Sequence, residues 1–378
     1  MNTVSFGPRR LAGSPIAGGF KLAWTGMSAD MKLYKEDFSL PECYHTTEIC
    51  KECEATSAST GGPLTCSNAL IDAPWTCTTR KYCDYVAYVK AARLVSPLMR
   101  IPGFHTFNLF EDALHIDALG LRLDAAAGCA VQMVSEGIFG EIPSSGKWKR
   151  KLNIPLAQAT LRFRHHCRFN GIAWQKTSKF TTNFFSMYVK DDYPVMKGKA
   201  RNCVDVTNWL HYESQQHLTT EPQRMRATML WGFKELWDIM SDSRPRVRLT
   251  VSELGRLSKT REAILLCYHW LHKDAAAQGR RQFNLRPKFH YFDHLLRRAL
   301  RTHCSPGVFW TFAAESFIGM FARQCQRVHG ASLYRRAVSR WIIYFWVTIV
   351  EFNEKHASTR ESFKHLLPKT KDRKRKRC

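Results

Sequence analysis

The chain reads as mainly α-helical, and three features of the sequence lead there. From about residue 155 onward, apolar residues recur at helical spacing through one segment after another. Strand character is confined to one short stretch, Phe107-Asn108-Leu109-Phe110. The first 26 residues are broken by Gly7, Pro8, Gly13 and Pro15 and carry no alternating pattern.

Taken in order, residues 1–26 form an irregular N-terminal segment. Met31 to Phe38 spaces its apolar side chains like a short helix. Residues 42–84 are Cys-rich and loop-like, with Ser57-Ala58-Ser59-Thr60-Gly61-Gly62 as a pliant patch. A helix is expected from Tyr82 to about Leu94, and Ile101-Pro102-Gly103 is a turn. The strand at Phe107 to Phe110 leads into Asp112. A helix follows from about Ile116 to Glu136, interrupted at Gly128, and Gly140 to Lys151 is a basic loop. Further helices are expected over 155–169, 200–217, 222–240, 252–277, 287–302, 312–328 and 332–356. Leu257, Ile264, Leu265, Tyr268 and Leu271 fit a 3.6-residue stripe in one of them. No internal repeat stands out.

Composition narrows the partners. The 378 residues carry 57 Lys+Arg against 32 Asp+Glu, a formal net charge of +25. That excess favours a polyanion, nucleic acid before an anionic membrane. The 13 Cys are odd in number and irregularly spaced in a long chain, which argues against a disulfide scaffold and for a reducing compartment. The N-terminus has no secretory apolar segment. The longest apolar run, Trp341 to Val350, is too short to span a bilayer and reads as a buried helix. These features give an intracellular, soluble protein with no membrane contact. Lys371, Arg373, Lys374, Arg375, Lys376 and Arg377 form a dense basic block in the tail, suited to nuclear import or to a nucleic-acid arm.

Five motifs carry the chemistry. Asp30 sits in Ala29-Asp30-Met31-Lys32-Leu33-Tyr34. Cys50-Lys51-Glu52-Cys53 places two sulfurs on one turn, half of a tetrahedral zinc site, with Cys43, Cys66, Cys77 and Cys83 as further thiols nearby in sequence. Asp112-Ala113-Leu114-His115 offers one oxygen and one nitrogen, or a helix cap and its neighbour. Pro287-Lys288-Phe289-His290, followed by His294, puts two imidazoles on one helical face. That spacing permits metal binding, although packed or capping histidines are the plainer reading. Lys288, Arg297, Arg298 and Arg301 line the same segment as a basic face for phosphates. Glu315 opens Glu315-Ser316-Phe317-Ile318-Gly319.

In this order the motifs resemble the second half of a eukaryotic cut-and-paste transposase of the CACTA-like and related kinds, over roughly residues 27–356. The resemblance implies an incomplete RNase H-like α/β core with a large helical insertion. It divides the chain into an irregular N-terminus (1–26), a partial core with a Cys-rich insertion (27–136), a helical insertion domain (137–305), C-terminal helices carrying the family Glu (306–359) and a basic tail (360–378). Asp30 would match the second acid of the Asp-Asp-Glu triad and Glu315 the last, together holding Mg²⁺ or Mn²⁺ in an active enzyme. No Asp or Glu precedes Asp30, so the expectation is an N-terminally truncated relative impaired in catalysis. The alternatives are a repurposed DNA- or RNA-binding protein, or an active enzyme whose missing acid comes from elsewhere. The same resemblance implies a structural Zn²⁺ on Cys50, Cys53, Asp112 and His115, tying the Cys-rich insertion to the core. Nucleic acid, DNA foremost, is the expected partner.

Overall fold

The computed structural model describes residues 27–29, 31–38, 40, 45–68, 72–80, 108–173, 179–243 and 246–311. The Asp30 and Glu315 side chains, the helices expected at 82–94, 312–328 and 332–356, the Trp341 to Val350 run and the basic tail lie outside these residues.

Strand β1 (Met27–Ala29) and strand β2 (Leu109–Glu111) pair in parallel, with Met27 opposite Leu109 and Ala29 opposite Glu111. A parallel pair needs a long crossover, and helix α1 (Met31–Phe38) begins it. Fully buried Tyr34 on α1 locks the strands. Its hydroxyl accepts from the Ala29 amide at 3.0 Å and lies 2.7 Å and 2.8 Å from the carbonyls of Phe110 and Met27. Among the described residues these two strands are the whole sheet.

The rest of the described residues are helical or irregular. A π-helical stretch, Leu114–Leu121, follows β2 and runs into helix α2 (Arg122–Ser135). The expected break in this region falls at Gly120, whose φ of −122° and ψ of −111° kink the chain, and not at Gly128. A Cβ on Gly128 would meet the Phe283 ring at 2.8 Å, so this glycine makes room for a packed aromatic inside a continuous helix.

Helix α3 (Trp148–Phe169) begins seven residues before the expected Pro155 start and carries that proline internally. It thereby takes up the last four residues of the loop expected from Gly140 to Lys151. Helices α4 (Ala200–Ser214), α5 (Glu221–Asp242), α6 (Val251–Ala277) and α7 (Pro287–Thr302) match the sequence reading within a few residues. Capping chemistry sets two starts. Thr220 pairs reciprocally with Gln223 at α5, and at α6 the Glu253 amide donates to Thr250 Oγ1 at 3.2 Å while the Thr250 amide donates to Glu253 at 2.7 Å. Proline opens α7 in a position where no amide is needed, and His303 ends it at a left-handed φ of 58°.

Helices α5 and α6 pack along each other, and Gly232 lets Ile264 approach so closely that a Cβ would sit 2.7 Å from it. Trp209 on α4 centres an aromatic core with Phe139, Phe163 and Phe180, at ring distances of 5.3–5.7 Å. Among the described residues no helix is long and apolar enough to cross a membrane.

Candidate metal centre

The Cys-rich segment has little regular structure and is held instead by short-range hydrogen bonds. The Ile49 amide donates to Ala55 O at 3.1 Å and the Ser57 amide to Thr47 O at 2.8 Å, closing a tight loop around Cys50 and Cys53. The Glu52 amide points at Cys50 Sγ from 3.3 Å, an N–H···S contact that spacing of two between the cysteines allows. Arg80 returns to this loop: its amide donates to Glu52 O at 2.9 Å and its Nε to Cys53 O at 3.3 Å. From the other side, Tyr291 on α7 donates to Ile49 O at 2.6 Å.

This docking brings α7 against the Cys loop. His290 and His294, one turn apart, both direct Nε2 at Cys53 Sγ, from 3.4 Å and 3.3 Å. Cys50, Cys53, His290 and His294 each offer a ligand atom, and the four atoms all lie within 4.8 Å of one another. Tetrahedral zinc with bonds of about 2.3 Å to sulfur and 2.0–2.1 Å to nitrogen separates S from N by roughly 3.6 Å. The two S···N spacings of Cys53 are close to that and Cys50 Sγ lies within 4.8 Å of the other donors, so the donor set fits a Cys₂His₂ zinc ion in number and type. Trp75 closes the site from the loop, its ring 4.3 Å from His290 and 5.5 Å from His294. Cys50, Cys53 and His290 are buried and His294 is partly buried, and four protein donors fill a tetrahedral shell as in structural zinc sites, leaving no open coordination position for a substrate.

The surroundings reinforce the fit. Glu52 Oε2 faces His294 Nδ1 at 3.5 Å, the carboxylate–imidazole arrangement that orients a metal-bound histidine. Burial pushes the Cys50 thiol above its ordinary range, and the neighbouring Cys53 adds to this. Burial lowers His290, keeping it neutral and able to ligate. For His294 burial acts in the same direction, but Cys50, Glu111 and Asp293 outweigh it and leave this imidazole raised. Two thiolates would cancel the charge of a divalent ion, which suits a buried location.

Beneath the loop lies a second buried cluster. Lys51, Glu52, Glu111 and Arg298 are each 5% exposed or less. Lys51 contacts Glu111 and, at 3.1 Å, Glu52; Arg298 contacts Glu52 and reaches Glu111 at 3.7 Å. Two cations and two anions leave no net charge, the condition under which such burial is tolerated.

The structure therefore regroups the sequence motifs. Cys50 and Cys53 are brought together as expected, but their partners are His290 and His294 and not Asp112 and His115. Asp112 is occupied otherwise. Its carboxylate accepts from the Leu114 amide at 2.9 Å, from His115 Nδ1, and from Thr311 through Oγ1 at 2.5 Å and the amide at 3.2 Å. It caps the π-helical stretch and pins Thr311, the capping role that the sequence left open. Asp112 and His115 border a cavity of about 170 Å³ with Ala29, Lys32 and Lys288.

The basic face expected on α7 is also revised. Arg298, 3% exposed, belongs to the buried cluster and cannot offer its guanidinium to a phosphate. Arg297 donates to Asp293 at 2.8 Å and lies 5.4 Å over Trp75, and Lys288 donates to Leu119 O at 2.7 Å. Of the four, Arg301 is exposed. Cys66 and Cys77 stand apart from the metal cluster.

Comparison of the chain with protein-family models, with curated proteins and with solved structures gives no match.

Proposed function

We propose that this chain is a nucleic-acid-associated protein of transposase-like ancestry whose fold is stapled by a structural Zn²⁺, and that it works by binding rather than by cutting. The observation that carries this reading is the convergence of Cys50, Cys53, His290 and His294 from segments 237 residues apart. Two motifs that resemble separate parts of one transposase family become one site, which supports treating their order as meaningful. The zinc would hold the Cys-rich loop against α7, as an enclosed Cys₂His₂ site does in folds that need the metal for stability. In this reading the RNase H-like core is represented by the β1–β2 pair, with Asp30 following β1 directly in sequence.

Nucleic acid is the partner because of the net charge of +25. The basic tail serves nuclear entry. Binding is favoured over cutting because Asp30 and Glu315 are the two acids matched to the family triad, and two acids alone supply an incomplete cage for the paired Mg²⁺ or Mn²⁺ ions of strand transfer.

The test uses the purified full chain with random-sequence duplex DNA and Mn²⁺. Binding that weakens steeply as salt rises, with the DNA left intact, is the expected result. Metal-dependent cleavage abolished by Glu315→Ala would restore an active enzyme. Absence of binding at low salt would remove nucleic acid as the partner.

A further inference from the structure

Helix α3 is unlike the other helices of the body. It carries Lys149, Arg150, Lys151, Arg162, Arg164 and Arg168, and not one Asp or Glu in its 22 residues. Arg162, His165, His166 and Phe169 recur at spacings of three and four, so they share one face. That face looks across a groove of about 450 Å³ at Tyr212, Glu213 and Gln216 near the end of α4. Two aromatic rings are left to water there, Phe169 at 84% exposure and Tyr212 at 56%. Tyr212 lies 5.4 Å from the His166 ring, which continues the aromatic wall. The groove's one acid, Glu213, is already engaged: Trp209 Nε1 donates to it at 3.1 Å and Arg162 at 3.4 Å.

We propose that the α3–α4 groove binds a single strand of nucleic acid, with an unpaired base stacked on Phe169 and Tyr212 and the flanking phosphates on the α3 cations that lie outside the groove. This deepens the nucleic-acid reading above and rests on it. Charge selects a polyanion, and the aromatic rings select its form. In a duplex the base faces are stacked inside and only edges and phosphates are offered, so an exposed ring gains nothing from it. An unpaired base presents a face of the right size and polarity. Anionic lipid is the rival polyanion. The exposed apolar side chains Ile154, Leu161 and Phe169 are separated along α3 by Gln158 and His165, so no continuous apolar strip is available to lie in a membrane interface.

The experiment measures fluorescence anisotropy of labelled oligothymidine of about 15 nucleotides, a length that covers one such groove, and of a duplex of equal length, with the full zinc-loaded chain. Because Phe169 is exposed, Phe169→Ala leaves the fold intact, which circular dichroism verifies. It should weaken single-strand binding roughly tenfold, as loss of one stacked base does, and leave duplex affinity unchanged. Arg168→Ala, at an exposed cation beside Phe169, should instead lower the salt slope by about 0.7 on the single strand, one phosphate contact. In Phe169→Trp, oligothymidine should quench the new indole. If neither DNA form binds at about 50 mM salt, where phosphate contacts are strong, the proposed function falls and this groove with it. If DNA binds but Phe169→Ala changes affinity less than twofold and the indole is silent, the groove assignment alone falls. Competition by phosphatidylserine vesicles as effective as by oligothymidine would assign the face to lipid and overturn the proposal.

Discussion

At the scale of single residues, several charges are turned inward. Arg298 looks like part of a basic stripe in the sequence, yet it is buried against Glu52 and Glu111. Its position on α7 settles the matter: it lies one turn after His294 on the face that meets the Cys loop. The buried quartet is balanced only while it is whole. Glu111→Gln should therefore destabilise the protein by about 3–5 kcal/mol, since it leaves Lys51 and Arg298 with a single anion between them. Chemical denaturation of the two proteins reads this directly. A loss below about 0.5 kcal/mol, the level of an ordinary surface change, would mean that the quartet is solvated and not a closed cluster.

At the scale of elements, what could be read from sequence was what local physics decides. Helix α7 runs over the residues expected of it because Pro287 sets its start and a strong apolar stripe fixes its face. Helix α6 announces itself through Thr250 and Glu253, a capping box visible as Thr-x-x-Glu. The errors arise where a neighbour overrides the local signal. Pro155 reads as a helix start, but packing of Leu156, Ala159 and Phe163 on one side allows α3 to run through it. Gly128 reads as a break, but its lack of a side chain is used by the Phe283 ring. That ring has little freedom, because Phe283 sits at a φ of 55° and its carbonyl accepts from His272 Nδ1 at 2.9 Å. The two readings of Gly128 predict opposite signs. At a helix break, alanine would stabilise; here Gly128→Ala should lower stability by about 1–2 kcal/mol, overpacking outweighing the helical gain. Thermal unfolding of the variant distinguishes them.

At the scale of the whole molecule, the metal site was half legible. Spacing identified Cys50-x-x-Cys53 as one half of a tetrahedral set, and it noted that His290 and His294 share a face. The family resemblance assigned the other half to Asp112 and His115, whereas the cluster is completed by His290 and His294; both pairs offer two donors one turn apart, and which of them meets the loop depends on which helix packs against it. Tyr291, reaching Ile49 from α7, and Trp75, covering both imidazoles, make that choice. A metal that joins segments so far apart in sequence should couple to global stability. Chelation is expected to lower the unfolding temperature and loosen the Cys loop. Acid should do the same, because the Cys50 thiol holds its proton tightly in the buried site and each ligand protonated is a ligand lost; zinc affinity therefore falls as pH falls. The most direct test is zinc X-ray absorption on the purified full chain. The expected first shell is two sulfurs at about 2.3 Å and two nitrogens at about 2.0–2.1 Å, changing to fewer nitrogens in His294→Ala and remaining the same in His115→Ala. A protein without zinc, or a shell that loses a ligand with His115→Ala and not with His294→Ala, would contradict the Cys50–Cys53–His290–His294 centre.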